Sequence, residues 1–262
     1  MKIVVCVKQV PDTTEVKINP ETNTLIREGV DSILNPFDMY AVEEGIRIKE
    51  KLGGTVTVIS MGPPQVAGQL KETIGMGVDE AILISDRAFA GSDTLATSYA
   101  LAKAVEKIGG VNLIICGKQA IDGDTAQVGP ELAEKLGIPH LTYVKKINEI
   151  SETGLTAERM NEDGYERVCL PLPALITVVK EINEPRLPSL KGMMRAKKAE
   201  IPIWKAADID ADPAKCGLNG SPTWVKRIFI PEIKCQGEIF HGDPEEQVKS
   251  LVDAIICRKI VQ

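Results

Sequence analysis

Along the first two-thirds of this chain, apolar residues fall into short continuous runs separated by segments of helical spacing. The runs lie at about 2–7, 55–60, 80–85, 111–116 and 174–180. They are rich in Val and Ile and lack polar alternation, the pattern of strands buried on both faces. Between the first four runs and after the fourth, apolar positions three and four residues apart predict helices over about 38–52, 65–76, 93–108 and 125–136. Strand alternating with helix implies an α/β fold, a parallel sheet with helices on both faces and right-handed crossovers. Ligand-binding loops should gather at the carboxyl ends of its strands. From Leu141 to Val168 the strand signals weaken and Glu162-Asp-Gly164 supplies a turn, which predicts an antiparallel excursion.

Two later segments break the rhythm. The run Asn183 to Lys198 holds two prolines, a glycine, the pair Met193-Met194 and five basic residues. It reads either as a solvated loop or, over about 183–203, as a protrusion that offers Leu190, Met193 and Met194 to a partner. From about Ala206 the chain is punctuated by Pro213, Gly217, Gly220, Pro231, Gly237, Gly242 and Pro244, before a final amphipathic helix at about 245–259. A connection of ~40 residues with little structure is uncommon in a self-contained domain. The expected organisation is therefore a domain over 1–205 and an arm over 206–262 that lies on another subunit.

One loop carries the strongest candidate chemistry. Leu113-Ile-Ile-Cys116 reads as a strand and Glu131–Leu136 as a helix, and Gly117 to Pro130 joins them. A strand-to-helix loop in a parallel sheet is where phosphates bind, because a helix start offers unpaired N–H groups and a positive dipole end. Gly123 brings the backbone close to a ligand with no Cβ in the way. Asp-Thr pairs at 93–94 and 124–125 stand at expected helix starts, where, taken alone, plain capping is the favoured reading.

Charge and composition narrow the classes. The net charge of −6 gives no general attraction for nucleic acid or acidic membranes. No apolar run approaches the ~18 residues of a membrane span, and Met1 runs straight into the first strand, so no secretory leader is expected. The six cysteines form no Cys-x-x-Cys pair and the two histidines, His140 and His241, lie far apart, so no metal site is expected. The set suits a reducing cytoplasm.

Four stretches resemble the small (beta) subunit of the electron-transfer flavoproteins. They are Val4–Asp12, Asn35–Glu44, Gly117–Pro130, and the signature spread over Ala157–Thr177. The resemblance implies a Rossmann-like nucleotide-binding domain, an obligate heterodimer with a larger alpha subunit, and a C-terminal arm embracing it. Carried over by position, it implies nucleotide contacts from Cys6, Asn35, Asp38, Met61, Gly117, Gln119, Ile121, Asp122, Gly123, Asp124, Thr125, Ala126, Gln127, Val128 and Gly129. It also makes the 183–203 protrusion, anchored by Leu190, the recognition loop for an acyl-CoA dehydrogenase.

Within the family, the beta site holds either a structural AMP or, in electron-bifurcating members, a second FAD. Where simple members resemble Asn-Pro-Phe-Cys-Glu-Ile-Ala, this chain has Asn35-Pro-Phe-Asp-Met-Tyr-Ala41; where they resemble Ala-Ile-Asp-Asp-Asp, it has Ala120-Ile-Asp-Gly-Asp124. Gly123 removes bulk and like charge from the path of a second phosphate. Phe89, Gly91 and Thr94 resemble the loop that bifurcating members use near the flavin and NADH. The resemblance thus implies an oxidoreductase subunit. NADH would reduce the beta-site FAD, one electron would go to ferredoxin or flavodoxin, and the other would pass through the alpha-subunit FAD to an acyl-CoA dehydrogenase that reduces an enoyl-CoA. No side-chain acid, base or nucleophile is expected, because the flavin carries the reaction. The competing readings are a simple carrier with AMP and a stand-alone adenine-nucleotide binder; flavin content separates the first two, and a well-behaved monomer would mark the third.

Overall fold

A computed structural model describes residues 1–12, 32–226 and 237–258. In chain order the strands and helices are β1 (Lys2–Cys6), β2 (Gln9–Pro11), β3 (Ser32–Leu34), α1 (Pro36–Leu52), β4 (Thr55–Met61), α2 (Val66–Met76), β5 (Glu80–Ile84), α3 (Thr94–Ile108), β6 (Leu113–Gly117), α4 (Val128–Leu136), β7 (His140–Ile150), β8 (Gly154–Asn161), β9 (Gly164–Pro171), β10 (Ala174–Val178), α5 (Leu190–Lys198), β11 (Ile203–Trp204) and α6 (Pro244–Cys257).

Nine strands form one sheet in the order β11-β5-β4-β1-β6-β10-β7-β8-β9, parallel through β7, with β8 and β9 added antiparallel. β2 and β3 make a small antiparallel pair beside it. The chain leaves β1 toward β4 and β5, then returns to place β6 on the other side of β1. That reversal opens a crevice at the carboxyl ends of β1 and β6, the place where open α/β sheets take ligands.

The core explains the unbroken apolar runs. Ile3, Val5, Val56, Val58, Leu113 and Ile115 pack under α1 and α2, while Val4, Cys6, Ile59, Ile114 and Cys116 pack with the residues of α3 and α4. Each strand therefore buries both faces, and each fully buried Ile or Leu contributes roughly 1.5–3 kcal/mol.

The structure departs from the sequence expectations in three places. α4 starts at Val128 and not at 125, because Asp124 and Ala126 have φ of 55° and 54° and cannot be helical. Asp124-Thr125 therefore does not cap it; the N-cap is Gln127, without a side-chain bond. Asp93 does cap α3, accepting from Ala96 N at 3.0 Å.

The second departure is at 190–198, which is a helix and not a loop. Ser189 caps α5 through Gly192 N at 3.0 Å. A Cβ on Gly192 would strike the carbonyl oxygen of Gly75, so glycine is what lets α5 lie on α2. Arg195 fastens the contact by donating to the carbonyls of Ile74 at 2.7 Å and Val78 at 2.6 Å.

The third concerns 206–226, placed with the arm by sequence. Ala206, Ile209 and Cys216 are buried in the core beside α3, and the compact unit runs from Met1 to Lys226. The second unit is Arg227–Gln262. Within it α6 is capped by Asp243, which accepts from Glu245 N and Glu246 N at 3.0 Å each. Val248, Leu251, Val252 and Ile256 of α6 are exposed. No helix among the described residues is long and apolar enough to cross a membrane.

Candidate functional site

Three chain segments converge at the crevice. The first follows β1. Lys8 donates its backbone N–H to Asp38 Oδ2 at 2.8 Å, and its carbonyl accepts from Asn35 N at 2.8 Å. The second is the start of α1, where Asn35 precedes Pro36 at the first helical position. The third is the loop after β6. Asn35 reads that loop with both ends of its amide, donating Nδ2–H to Gln119 O at 2.8 Å and accepting from Ile121 N at 3.1 Å. Asn35 is fully buried, so both of its polar atoms need these partners.

Asp38 is the carboxylate at the centre of the junction and is only 6% exposed. It accepts from the backbone N–H of Lys8 at 2.8 Å, and Asn35 and Gly117 beside it also favour its charged form. Burial pushes its pKa up to about 7, against those hydrogen bonds and the Lys8 charge, which lower it. Its carboxylate thus ties the end of β1 to α1 and lies against Gly117 at the end of β6. A consequence can be measured. Because the folded-state value lies above the unfolded value of 3.8, the folded protein holds the proton longer. This group's contribution is therefore full below the unfolded value and is lost as pH rises through about 7. Asp38→Asn is expected to flatten the decline in urea midpoint between pH 5 and 8; an unaltered slope would contradict this.

The loop itself presents donors. Ala126 is left-handed (φ 54°) and Gln127 right-handed (φ −98°, ψ −33°). Such a pair turns successive N–H groups to one side, forming an anion-binding concavity. Among the described residues, the N–H groups of Thr125, Ala126, Gln127, Val128 and Gly129 donate to no protein group. The α4 N-terminus adds its dipole to this row. Gly123 lies in the same loop, and a Cβ built on it meets nothing within 4 Å. The protein's own packing therefore does not require glycine there. Gly129 is different, since a Cβ would come within 2.7 Å of Thr177 Cγ2.

The remaining sequence candidates are distributed as follows. Cys6 and Cys116 face each other in register on β1 and β6 and are both buried. The neighbouring Cys6 thiol, together with burial, pushes Cys116 well above the ordinary thiol range. Met61, at the end of β4, packs on the same core cluster, while Ile121 is exposed on the loop. Phe89 is buried in that cluster, and Gly91 (φ 77°) lies against Leu218, which a Cβ would approach within 2.7 Å. Residues 217–223 cover this loop, with Thr223 Oγ1 donating to Asp93 at 2.8 Å. Thr94 reaches the loop after β6 and the helix that follows it, its hydroxyl 3.4 Å from Gln127 Oε1 and donating to Glu131 Oε1 at 3.1 Å. Leu190, Met193 and Met194 lie elsewhere, exposed on α5.

Three residues that sequence reasoning did not single out belong to these two surfaces. Lys8 donates to both oxygens of Asp122, at 2.6 and 2.7 Å. Glu131 has a buried Oε2 without a partner, and burial raises its pKa. Leu187 is 89% exposed beside Leu190 at 78%.

Comparison with known proteins fits this geometry. Residues 22–209 match the family model described as the electron transfer flavoprotein domain. The chain is similar to an electron transfer flavoprotein subunit beta of Thermoanaerobacterium thermosaccharolyticum, 53% identical over 262 residues and covering all of both chains. It is 50% identical over 263 residues to the caffeyl-CoA reductase-Etf complex subunit CarD of Acetobacterium woodii, again covering both chains fully. It is 44% identical over 266 residues to the protein FixA of Bradyrhizobium diazoefficiens, covering 99% of this chain and 92% of the relative.

Proposed function

We infer that this chain, which belongs to the electron transfer flavoprotein family as a beta subunit, holds FAD in its 117–129 loop. In this reading it serves an NADH-dependent electron-bifurcating complex with an alpha subunit. One electron goes to ferredoxin or flavodoxin and the other, by way of the alpha subunit, to an acyl-CoA dehydrogenase that reduces an enoyl-CoA. The observation that carries the reading is the open space at Gly123 beside five unpartnered N–H groups. A row of that length, with room next to it, suits a dinucleotide's phosphates. The resemblance to the caffeyl-CoA reductase-Etf complex subunit supports the same reading. A structural AMP is the second reading, since a single phosphate also satisfies those donors.

The residues have distinct tasks. Thr125 to Gly129 would hold the phosphates by backbone N–H. Asn35 and Asp38 fix the loop's position from below, and Thr94 ties it to the 89–94 loop, where NADH would approach. When bound, FAD supplies the redox chemistry, accepting a hydride and releasing electrons singly. The protein side chains supply position and electrostatics. The test is NADH-driven reduction of ferredoxin by the heterodimer with its dehydrogenase. Reduction that requires the enoyl-CoA is expected; reduction of the enoyl-CoA with no ferredoxin reduced would contradict bifurcation.

The α5 surface is assigned to dehydrogenase docking. Arg186 anchors its stem to α1 through Glu43 at 2.8 Å and Glu50 at 2.6 Å. The exposed Leu187, Leu190 and Met194 then form an apolar contact on a fixed base. Leu187→Ala with Leu190→Ala is expected to lower electron transfer to the dehydrogenase about tenfold while flavin content is unchanged. Transfer at the wild-type rate in steady-state assays would remove this surface from consideration.

A further inference from the structure

We propose that Lys8 is a specificity-determining residue of the nucleotide loop, its ammonium cancelling the Asp122 charge so that the loop favours two phosphates over one. The proposal rests on the reading of 117–129 as a phosphate loop. The loop carries two carboxylates, Asp122 and Asp124, on either side of Gly123. Left free, both would repel a phosphate that extends over the glycine. Each is engaged. The Gln119 amide binds Asp124 Oδ1. Lys8 Nζ lies 2.6 and 2.7 Å from the two Asp122 oxygens.

Lys8 is unusually well placed for this. Its backbone N–H is held by Asp38 and its carbonyl by Asn35, so the base of the side chain is fixed. The pair then bridges residues 114 apart in sequence and ties the end of β1 to the loop after β6. An ordinary exposed ion pair is worth little in stability. This one holds the residue next to Gly123, three positions before the free N–H row, where the sign of the charge bears on which anion fits. Asp122 adjoins Gly123, whereas the N–H row begins at Thr125, so a ligand that passes over Gly123 comes nearer to Asp122 than one that stops at the row. The Lys8 charge should therefore matter more for a diphosphate than for a monophosphate.

The experiment titrates AMP, ADP and FAD into the heterodimer freed of nucleotide, comparing wild type with Lys8→Gln, Lys8→Arg, Asp122→Asn and the Lys8→Gln/Asp122→Asn double variant. Lys8→Gln is expected to weaken ADP and FAD roughly tenfold but AMP by no more than about threefold, because the uncovered Asp122 carboxylate then repels the phosphate nearest it. Lys8→Arg should bind as wild type, and the double variant should recover most of the loss, which a purely structural role for Lys8 would not produce. Equal weakening of AMP and ADP, or no recovery in the double variant, overturns the proposal. Should Lys8→Gln fail to assemble, Asp122→Asn decides alone: a raised ADP-to-AMP affinity ratio supports the proposal and an unchanged ratio overturns it. Wild-type protein that carries AMP would refute the FAD reading but leave this ADP–AMP comparison intact.

Discussion

Gly123→Asp is expected to strip FAD from the beta site while the heterodimer stays assembled. The backbone at Gly123 is not left-handed, and an added Cβ meets nothing within 4 Å, so the folded chain accepts a side chain there. The effect falls on the ligand. A third carboxylate would join Asp122 and Asp124 in the loop, where among the described residues Lys8 makes the one ion pair. Like charge and lost space together should cost about 2–3 kcal/mol of binding, roughly 30- to 150-fold in affinity. Flavin absorbance of the gel-filtered complex reads this directly. Full flavin content in the variant would show that the opening at Gly123 has no bearing on the ligand.

Gly117→Ala should have the largest effect on stability. A Cβ at 117 would fall on Asp38 Oδ1, 2.8 Å from Asp38 N and 2.7 Å from the carbonyl carbon of Phe37. Two of those atoms are backbone at the start of α1, so no rotamer change relieves the clash. Either α1 moves away from β6 or the Asp38 brace opens, and both alter the loop that follows. Overpacking against backbone costs about 3 kcal/mol, a fall of roughly 6–12 °C in Tm for a unit of this size. Differential scanning fluorimetry of the heterodimer checks the first effect and nucleotide content the second. A thermal midpoint within a degree of wild type would mean that the approach of α1 to β6 is looser than the structure describes.

The sheet was largely legible in the sequence because its physics is local. Strands buried on both faces must be apolar throughout, and Val4-Val-Cys6 or Leu113-Ile-Ile-Cys116 could hardly be anything else. The start of α4 was not legible. Asp124-Thr125 looks like a cap, and nothing about alanine at 126 announces a left-handed residue, which costs it about 1 kcal/mol or more. The surrounding loop imposes that conformation, and it is what turns the N–H groups toward one point. The helix at 190–198 was hidden for a similar reason. Gly192 and the preceding Pro185 and Pro188 argue against it locally, and what fixes it is the distant contact with Gly75 and Arg195's bond to the Ile74 carbonyl of α2. Lys8 and Glu131 were missed because their partners, Asp122 and Thr94, lie far away in the chain. Asp38 was legible as a site candidate, but its buried bond to the Lys8 N–H was not, because that partner lies 30 residues away in the chain.

The central claim is that the loop at 117–129 takes FAD. The direct measurement is the cofactor content of the purified heterodimer, released by denaturation and quantified by chromatography. Two FAD and no AMP per heterodimer is the result expected from the opening at Gly123. One FAD and one AMP would contradict it.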